Sequence, residues 1–368
     1  MDTMTDSTAS SSPPGRSRRW PRRVVLGIAV VVLTVGIAGA RIRTPYSIIA
    51  PGQAVPLAPR VHVSGAPGYP EAKDDIRLLF VTESTNVNLW QYLRAKLNPD
   101  DDLLKTQALT GGEPSDDEAA DAVADMADAK IAATKVALQA AGYKIPAPDG
   151  LVVEAVYPEF PAAKTLQAGD LLISVDGKNI LDGNALQDEV RKHKPGQTVD
   201  LTLIRNGKKI TTTSGVAIRN KTTVMGVRVA IHWRFPVNVT VDTSDIGGPS
   251  AGLAMTLAIL DRLTPGALTG NQRIAVTGTI DNAGNVGEIG GIEQKAVAVR
   301  EAHVSLFLVP RCVPKTSPDL AGCRADLSKA VQRVGKSVKV IPVANLKEAL
   351  AALRTAGGAP VVPVTVAG

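Results

Sequence analysis

The sequence predicts a multidomain α+β protein with one N-terminal transmembrane helix, a small β-rich domain and an α/β domain. Three observations support this fold class: an uncharged apolar stretch near the N-terminus, a middle region of short strands and turns, and a C-terminal region in which strands and helices alternate. The chain of 368 residues is too long for one ordinary domain. Because aromatic residues make up only 3%, small aliphatic side chains must fill the cores.

The N-terminal region combines a basic leader with an apolar stretch. Residues 1–23 are polar and rich in Ser and Arg, and we expect a disordered cytoplasmic tail there. Residues 24–40 carry no charge, and as a helix they would span about 26 Å. Five arginines precede the stretch and two follow it, so the positive-inside rule predicts a single-pass protein of the cell membrane with everything after residue 40 outside the cytoplasm. Ala-Gly-Ala at 38–40 leaves a removed signal peptide open.

Charge and cysteine content limit the expected partners. The formal net charge of +6 is partly local to the leader, and no basic patch with interleaved aromatics follows, so nucleic acid is not expected. Cys312 and Cys323 lack the second pair or nearby His of a zinc set, so we expect no metal and no cofactor. Outside the cytoplasm a disulfide between them is favoured, and two unpaired buried thiols are the alternative.

Residues 41–146 are predicted to form an extracytoplasmic α+β segment with a long helix. Apolar residues alternate over 46–63, which indicates strands. The Ser-Asp-Asp-Glu run at 115–118 is a capping-box pattern, and the Ala-rich helix behind it is expected to stop at Gly142. Its apolar stripe is ragged, so we interpret the helix as structural packing.

Residues 147–218 have the pattern of a small β-rich module. The expected elements are strands at 151–156 and 171–175, a helix at 185–193, and a hairpin of 199–204 and 208–213 around Asn206-Gly207. This order resembles a PDZ domain of the bacterial protease-associated kind. In that family a groove between a strand and the helix takes an extended peptide end by β-augmentation. A β-rich spacer is the plain alternative.

Strands and helices alternate over residues 222–356, which predicts an α/β domain followed by a flexible tail at 357–368. Gly247 to Gly252 read GGPSAG, and small residues around Ser250 allow a substrate backbone to approach closely. Pro249 suits the first helical position. Unpaired amides around Gly248 and Ser250 could then bind an oxyanion, so Ser250 is the candidate nucleophile.

A serine nucleophile needs a base, and Lys295 in the Gly-Gly-Ile-Glu-Gln-Lys run at 290–295 is the candidate. Burial among apolar side chains and the positive end of a helix would both lower the pKa of its amine. Thr277, in Val-Thr-Gly, could hydrogen-bond the amine and aim it.

These motifs resemble the Lon-type protease domain, whose Ser-Lys dyad lies in a Pro-Ser-Ala-Gly turn and a Gly-Gly-hydrophobic-x-x-Lys segment. With the anchor and the PDZ-like module in this order, the chain resembles the YlbL family of membrane-anchored PDZ-containing Lon-type serine proteases. The resemblance implies that Ser250 is the nucleophile, Lys295 the base and Thr277 the threonine of the family's Thr-Gly segment. Gly247 stands where Lon ATPases commonly carry Asp, which leaves an acidic helper in doubt.

The resemblance implies an ATP-independent serine endopeptidase that acts on exported or membrane proteins. Its substrates would be protein or peptide chains whose C-terminal ends the PDZ domain recruits or senses, and a homo-oligomer is open by resemblance alone. Gly-Lys-Ser at 335–337 mimics a P-loop, but Ala330 stands where the first Gly would fall.

Two rival interpretations stay open. An α/β-hydrolase triad would use Asp281 and His303, although His303 follows Ser250 by too few residues for that sheet. A non-catalytic PDZ tether with a Lon-like platform is the other, since a fold alone does not guarantee an activity.

Overall fold

The computed structural model describes residues 22–66, 69, 75–109, 115–219, 221–244, 246–314, 317 and 319–364. Most of the predicted disordered tail and the last residues of the predicted flexible tail lie outside the described residues. The N-terminal elements are α1 (Arg22–Arg41), β1 (Tyr46–Pro56), β2 (Val61–Ser64), β3 (Asp75–Ser84), α2 (Leu89–Leu97), β4 (Asp102–Lys105), α3 (Thr106–Leu109) and α4 (Ser115–Ala140).

Helix α1 contains the stretch for which the sequence predicts a transmembrane helix at 24–40. Within the described part of the chain, no helix combines the length and the apolar character that crossing a membrane requires. The predicted transmembrane helix is therefore not supported. Helix α1 contacts α2, where the Trp90 Nε1 donates to the carbonyl of Gly36 at 2.9 Å.

The middle of the chain forms a β-rich module. Its elements are β5 (Leu151–Val156), β6 (Leu171–Val175), β7 (Lys178–Asn179), α5 (Gly183–Val190), β8 (Thr198–Arg205), β9 (Lys208–Gly215), β10 (Ala217–Arg219), β11 (Thr222–Val224) and β12 (Val227–Ile231). The strand order is β12-β5-β6-β8-β9, with β7 on β6. Asn206 and Gly207 both have positive φ and form the turn between β8 and β9, as the sequence predicts.

Strand β12 belongs to this module by its pairing, whereas the sequence predicts that the module ends at 218. It pairs antiparallel with β5, with Val227 opposite Val156 and Ile231 opposite Leu151. Because β12 is the last strand on its side of the sheet, its outer edge is open to a further strand.

The remaining elements build an α/β core. They are β13 (Asn238–Val241), α6 (Gly252–Leu263), β14 (Arg273–Val276), β15 (Thr279–Ile280), β16 (Val286–Gly287), α7 (Ile292–Glu301), β17 (Leu306–Pro310), α8 (Leu320–Val334), β18 (Lys339–Val343) and α9 (Leu346–Thr355). The sequence alone does not predict helix α8.

The sheet of this core contains strands that precede the module in the sequence and strands that follow it. Its order is β18-β17-β14-β3-β1-β4, and β3 pairs parallel with β14, with Ile76 beside Ile274. Strand β13 pairs antiparallel with β2. The segment at 41–146 is therefore part of the α/β core, and the module is inserted between two portions of that core.

Side chains of the central strands alternate between two buried clusters. Leu78 and Leu308 pack with residues of α4, α6 and α9, whereas Leu79 and Phe307 pack with residues of α7 and α8. Successive residues of a strand point to opposite faces, so the sheet is buried on both sides. This three-layer arrangement places the start of α6 and the start of α7 near the same end of the sheet.

Candidate active site

Ser250 lies in a tight turn immediately before α6. Residues Pro249–Ala251 form one turn of 3₁₀-helix, and Gly248 before it has a φ of 84°, a conformation that L side chains rarely adopt. Gly252 approaches β15 so closely that a Cβ would lie 2.8 Å from the backbone nitrogen of Ile280. The small residues of the motif are therefore needed for packing as well as for access. The Ser250 side chain is half-buried.

The two residues directly after β14, Thr277 and Gly278, fix the backbone of Ser250. The Thr277 hydroxyl donates to the Ser250 carbonyl at 3.2 Å, and the Gly278 amide donates to the same oxygen at 2.9 Å. Leu253 in turn donates its amide to the Gly278 carbonyl. Thr277 thus holds the nucleophile's backbone, whereas the sequence predicts a bond to the Lys295 amine. The carbonyl's orientation depends on tertiary packing, which no local motif encodes.

Lys295 reaches Ser250 from the first turn of α7. Gly291 precedes that helix in the left-handed conformation, with φ 63°, and its carbonyl accepts the Lys295 amide at 2.9 Å. The Lys295 Nζ lies 2.9 Å from the Ser250 Oγ. Two residues that are 45 positions apart in the sequence thus meet at hydrogen-bond distance.

The Lys295 amine is held in a desolvated environment. Only 2% of the residue is exposed, and burial lowers the pKa of Lys295 to about 7 from its ordinary value of 10.5. Ala296 and Val299, which follow Lys295 in α7, are also fully buried. No salt bridge to Lys295 is present among the described residues, so no carboxylate restores the charged form. A lysine in this state can accept a proton near neutral pH.

The predicted oxyanion donors differ in their availability. The Gly248 amide donates to the carbonyl of Ala122 in α4 at 2.7 Å, so the expected donor at Gly248 is already engaged. Pro249 has no amide hydrogen. The Ser250 amide has no hydrogen-bond partner among the residues that the structure describes. The candidate oxyanion donor is therefore the amide of Ser250.

The rival hydrolase triad does not assemble. His303 follows the last turn of α7 and is exposed, and its position lies about 12 Å further along the helix axis than Lys295. The Asp281 carboxylate accepts the amides of Ala283 and Asn285 within its own turn. Neither residue is oriented toward Ser250 by a described contact.

A groove of the module lies between α5 and β12. This cavity of about 370 Å³ is lined by Leu186 and Val190 of the helix and by Val227 and Val229 of the strand. We call it the peptide groove. Its β12 wall lies beyond the predicted end of the module at 218, and the alternating apolar residues after Gly226 are the signal that could extend that boundary.

Two amides at one end of the peptide groove lack a partner among the described residues. The carbonyls of Met225 and Gly226 accept the amides of Ala162 and Tyr157, whereas the amides of Met225 and Gly226 have no partner in the described part of the chain. Gly226 has a φ of 85°, and a Cβ there would lie 1.9 Å from the Cβ of Phe160. Adjacent free amides of this kind suit a carboxylate.

Cys312 and Cys323 form a disulfide with an S–S distance of 2.00 Å. Cys323 lies in the first turn of α8, where the Asp319 side chain caps the helix by accepting the amide of Gly322. The bridge joins the chain after β17 to α8 and does not contribute an atom to the dyad.

Comparisons with known proteins identify both folded parts. Residues 125–216 match the PDZ domain family, and residues 196–356 match the Lon protease (S16) C-terminal proteolytic domain. The Lon protease of Clostridioides difficile (strain 630) is 33% identical over 103 residues, which cover 28% of this chain and 12% of that protein. Lon protease 1 of Bacillus subtilis (strain 168) is 29% identical over 105 residues, covering 28% and 13%.

Among solved structures, the PDZ domain of an SdrC-like protein from Listeria monocytogenes is 26% identical and covers 24% of this chain and 94% of that chain, with a TM-score of 0.22. The chain spans only 12% and 13% of the length of the two curated Lon proteases named above. The similarity to them therefore concerns a proteolytic domain and not the whole of those proteins.

Proposed function

The chain contains a PDZ domain and a Lon-type proteolytic domain, and from that premise we propose that it is an ATP-independent serine endopeptidase with a Ser250–Lys295 dyad. One observation carries the proposal: the buried Lys295 amine lies 2.9 Å from the Ser250 hydroxyl. A general base must lie within hydrogen-bond reach of the proton that it removes, and this pair meets that condition.

The proposed reaction follows from the positions of these groups. Neutral Lys295 takes the proton of the Ser250 hydroxyl while the Oγ attacks the scissile carbonyl carbon. The Ser250 amide donates to the resulting oxyanion. The C–N bond then breaks as Lys295 returns the proton to the leaving amine, and water hydrolyses the acyl-enzyme.

We propose that the substrates are exported or membrane proteins whose C-terminal ends enter the peptide groove. The free edge of β12 supports this, because an extended peptide can add to it as a further strand. The unpartnered amides of Met225 and Gly226 support recognition of a terminal carboxylate.

We propose that the PDZ and protease domains work outside the cytoplasm. The disulfide between Cys312 and Cys323 supports this location, because structural disulfides persist in oxidising compartments. Alkylation of intact cells before and after reduction tests it by mass spectrometry. Two thiols that are alkylated without prior reduction would contradict the proposal.

The protease proposal is tested by cleavage of β-casein, an unfolded substrate, with purified protein. We expect fragments from wild type, none from Ser250→Ala, and wild-type activity from Ser337→Ala, which removes an exposed hydroxyl elsewhere. Equal inertness of wild type and Ser250→Ala would favour the non-catalytic tether. Equal activity of the two would show that another group is the nucleophile.

A further inference from the structure

A second cavity adjoins the peptide groove and reaches the nucleophile turn. This cavity of about 350 Å³ is bounded by Pro249, by the turn at 280–282, by one face of α4 and by β12. We call it the nucleophile cleft. Gly183 and Val229 line both the peptide groove and the nucleophile cleft. The two cavities therefore meet at the start of α5 and the middle of β12.

The geometry of β12 gives a bound chain a direction. The unpartnered amides of Met225 and Gly226 lie before the first residue of β12, so a terminal carboxylate would bind at that end. A strand added antiparallel to β12 then runs past Val229 toward Ile231 with its upstream residues. Ile231 lines the nucleophile cleft and not the peptide groove. The upstream part of the chain thus leaves the groove where the cleft begins.

We propose that the peptide groove and the nucleophile cleft form one continuous track, which makes the enzyme cut C-terminal ends at a set distance from the carboxylate. This inference rests on the proposed protease function and adds a rule for the cleavage position to it. The occupant is an extended C-terminal segment with a free carboxylate. The product released from it is a short peptide.

The dimensions of the track set the cleavage distance. Gly226 and Ile231 are five positions apart, and an extended chain covers that length in about 17 Å. The nucleophile cleft, taken as a sphere, is about 9 Å across, which roughly three further residues span. Pro249, which directly precedes Ser250 in the chain, lines this cleft. The scissile bond is therefore expected roughly seven to ten residues from the C-terminus.

The rule is tested with 30-residue unstructured peptides that share one repeating Gly-Ser-Ala sequence and one apolar C-terminal tetrapeptide. Mass spectrometry of the products gives the position of the first cut. We expect a cut roughly seven to ten residues from the C-terminus that stays at that distance when three residues are inserted upstream of the tetrapeptide. A C-terminal amide in place of the carboxylate should slow this cut at least about tenfold, since a charge-assisted contact is lost.

A substitution at the junction tests the track itself. The Cβ of a side chain at Gly183 would meet nothing within 4 Å, so Gly183→Trp places an indole between the two cavities without a backbone clash. We expect at least a tenfold loss of the fixed-distance cut, with thermal unfolding like that of wild type. Asp188→Trp places the same indole on the exposed side of α5, and it should leave the cut unchanged.

Three outcomes separate this rule from the protease proposal. Cuts that stay with a sequence position when the C-terminus is moved overturn the track and leave the protease proposal standing. Unchanged fixed-distance cutting by a folded Gly183→Trp protein overturns the track as well. If wild type cuts neither the peptides nor β-casein, both proposals fail together.

Discussion

Asp170 of the PDZ module and Lys295 of the protease core are both buried ionisable residues, and their surroundings affect the charged form in opposite ways. In the module, Asp170 is fully buried, and Arg205 donates to both of its carboxylate oxygens at 2.7 and 2.6 Å. Burial alone would raise the pKa of Asp170, but the hydrogen bonds from Arg205 and from the Gln167 amide hold it below its ordinary value. In the core, burial lowers the pKa of Lys295 to about 7.

The difference separates a structural charge from a reactive one. A buried carboxylate with a bidentate arginine stays ionised and fixes its surroundings. A buried lysine whose only described side-chain partner is a hydroxyl is poised to exchange its proton. Removing the charge of Arg205 should therefore lower the stability of the module. Removing the amine of Lys295 should instead impair catalysis in the core.

The largest effect is expected from Lys295→Met. Removing the base should lower kcat/KM for β-casein by at least about a thousandfold. The free energy of unfolding should be unchanged or higher, because methionine fills a similar volume without a desolvated amine. The exposed Lys347→Met provides the control with full activity. A Lys295→Met protein that is inactive because it is unfolded would break the contrast between the two regions.

The second-largest effect is expected in the pH dependence of kcat/KM and of the free energy of unfolding. Because the base acts in its neutral form, kcat/KM should rise about tenfold per pH unit below the pKa of about 7 and level off above it. The folded-state pKa lies below that of the unfolded chain, so the unfolded state binds more protons between about 7 and 10.5. The free energy of unfolding should consequently increase with pH across that window. Chemical denaturation of wild type and Lys295→Met at several pH values measures this slope, which the variant should lack.

Arg205→Met tests the structural role of the buried charge pair in the module. It leaves the Asp170 carboxylate buried without its partner, and we expect the module to unfold at a lower denaturant concentration than in wild type. Binding of a C-terminal peptide should weaken, as measured by calorimetry. Hydrolysis of a small p-nitrophenyl ester, which needs only the dyad, should persist. Loss of ester hydrolysis in a sample whose core still unfolds cooperatively would show that the charge pair in the module also affects catalysis in the core.

The smallest effect is expected from the disulfide, which contributes no atom to the dyad. Replacing Cys312 and Cys323 together by Ser should lower the free energy of unfolding by about 2–3 kcal/mol, since the cross-link closes a short loop. Activity at a temperature well below unfolding should match wild type. A change in the pH midpoint of kcat/KM in this variant would mean that the bridge reaches the Lys295 environment.

The sequence predicted local features better than long-range pairings. The β8–β9 hairpin follows from Asn206-Gly207, and both dyad residues lie in short recognisable motifs. Strand β12 pairs with β5, which lies about 70 positions earlier in the chain, and no local pattern indicates such a distant partner. The pairing of β3 with β14 spans a still longer separation, so no local pattern indicated that the N-terminal segment completes the core sheet.

Long-range contacts in the site were also beyond what the sequence could predict. The residue types predicted a nucleophile and a base, but the hydrogen-bond partners of Thr277 and Gly248 depend on neighbours from distant segments. Ala122 of α4 takes the Gly248 amide, and that contact joins a helix before the module to a loop after it.

The central claim is that Lys295 loses its proton near neutrality. Protein labelled with ¹³C at the lysine ε-carbons, titrated by NMR and assigned by the signal missing from Lys295→Met, reports this directly. We expect the ε-carbon signal of Lys295 to titrate with a midpoint of about 7. A Lys295 signal that stays in the charged form up to about pH 10 would contradict the account.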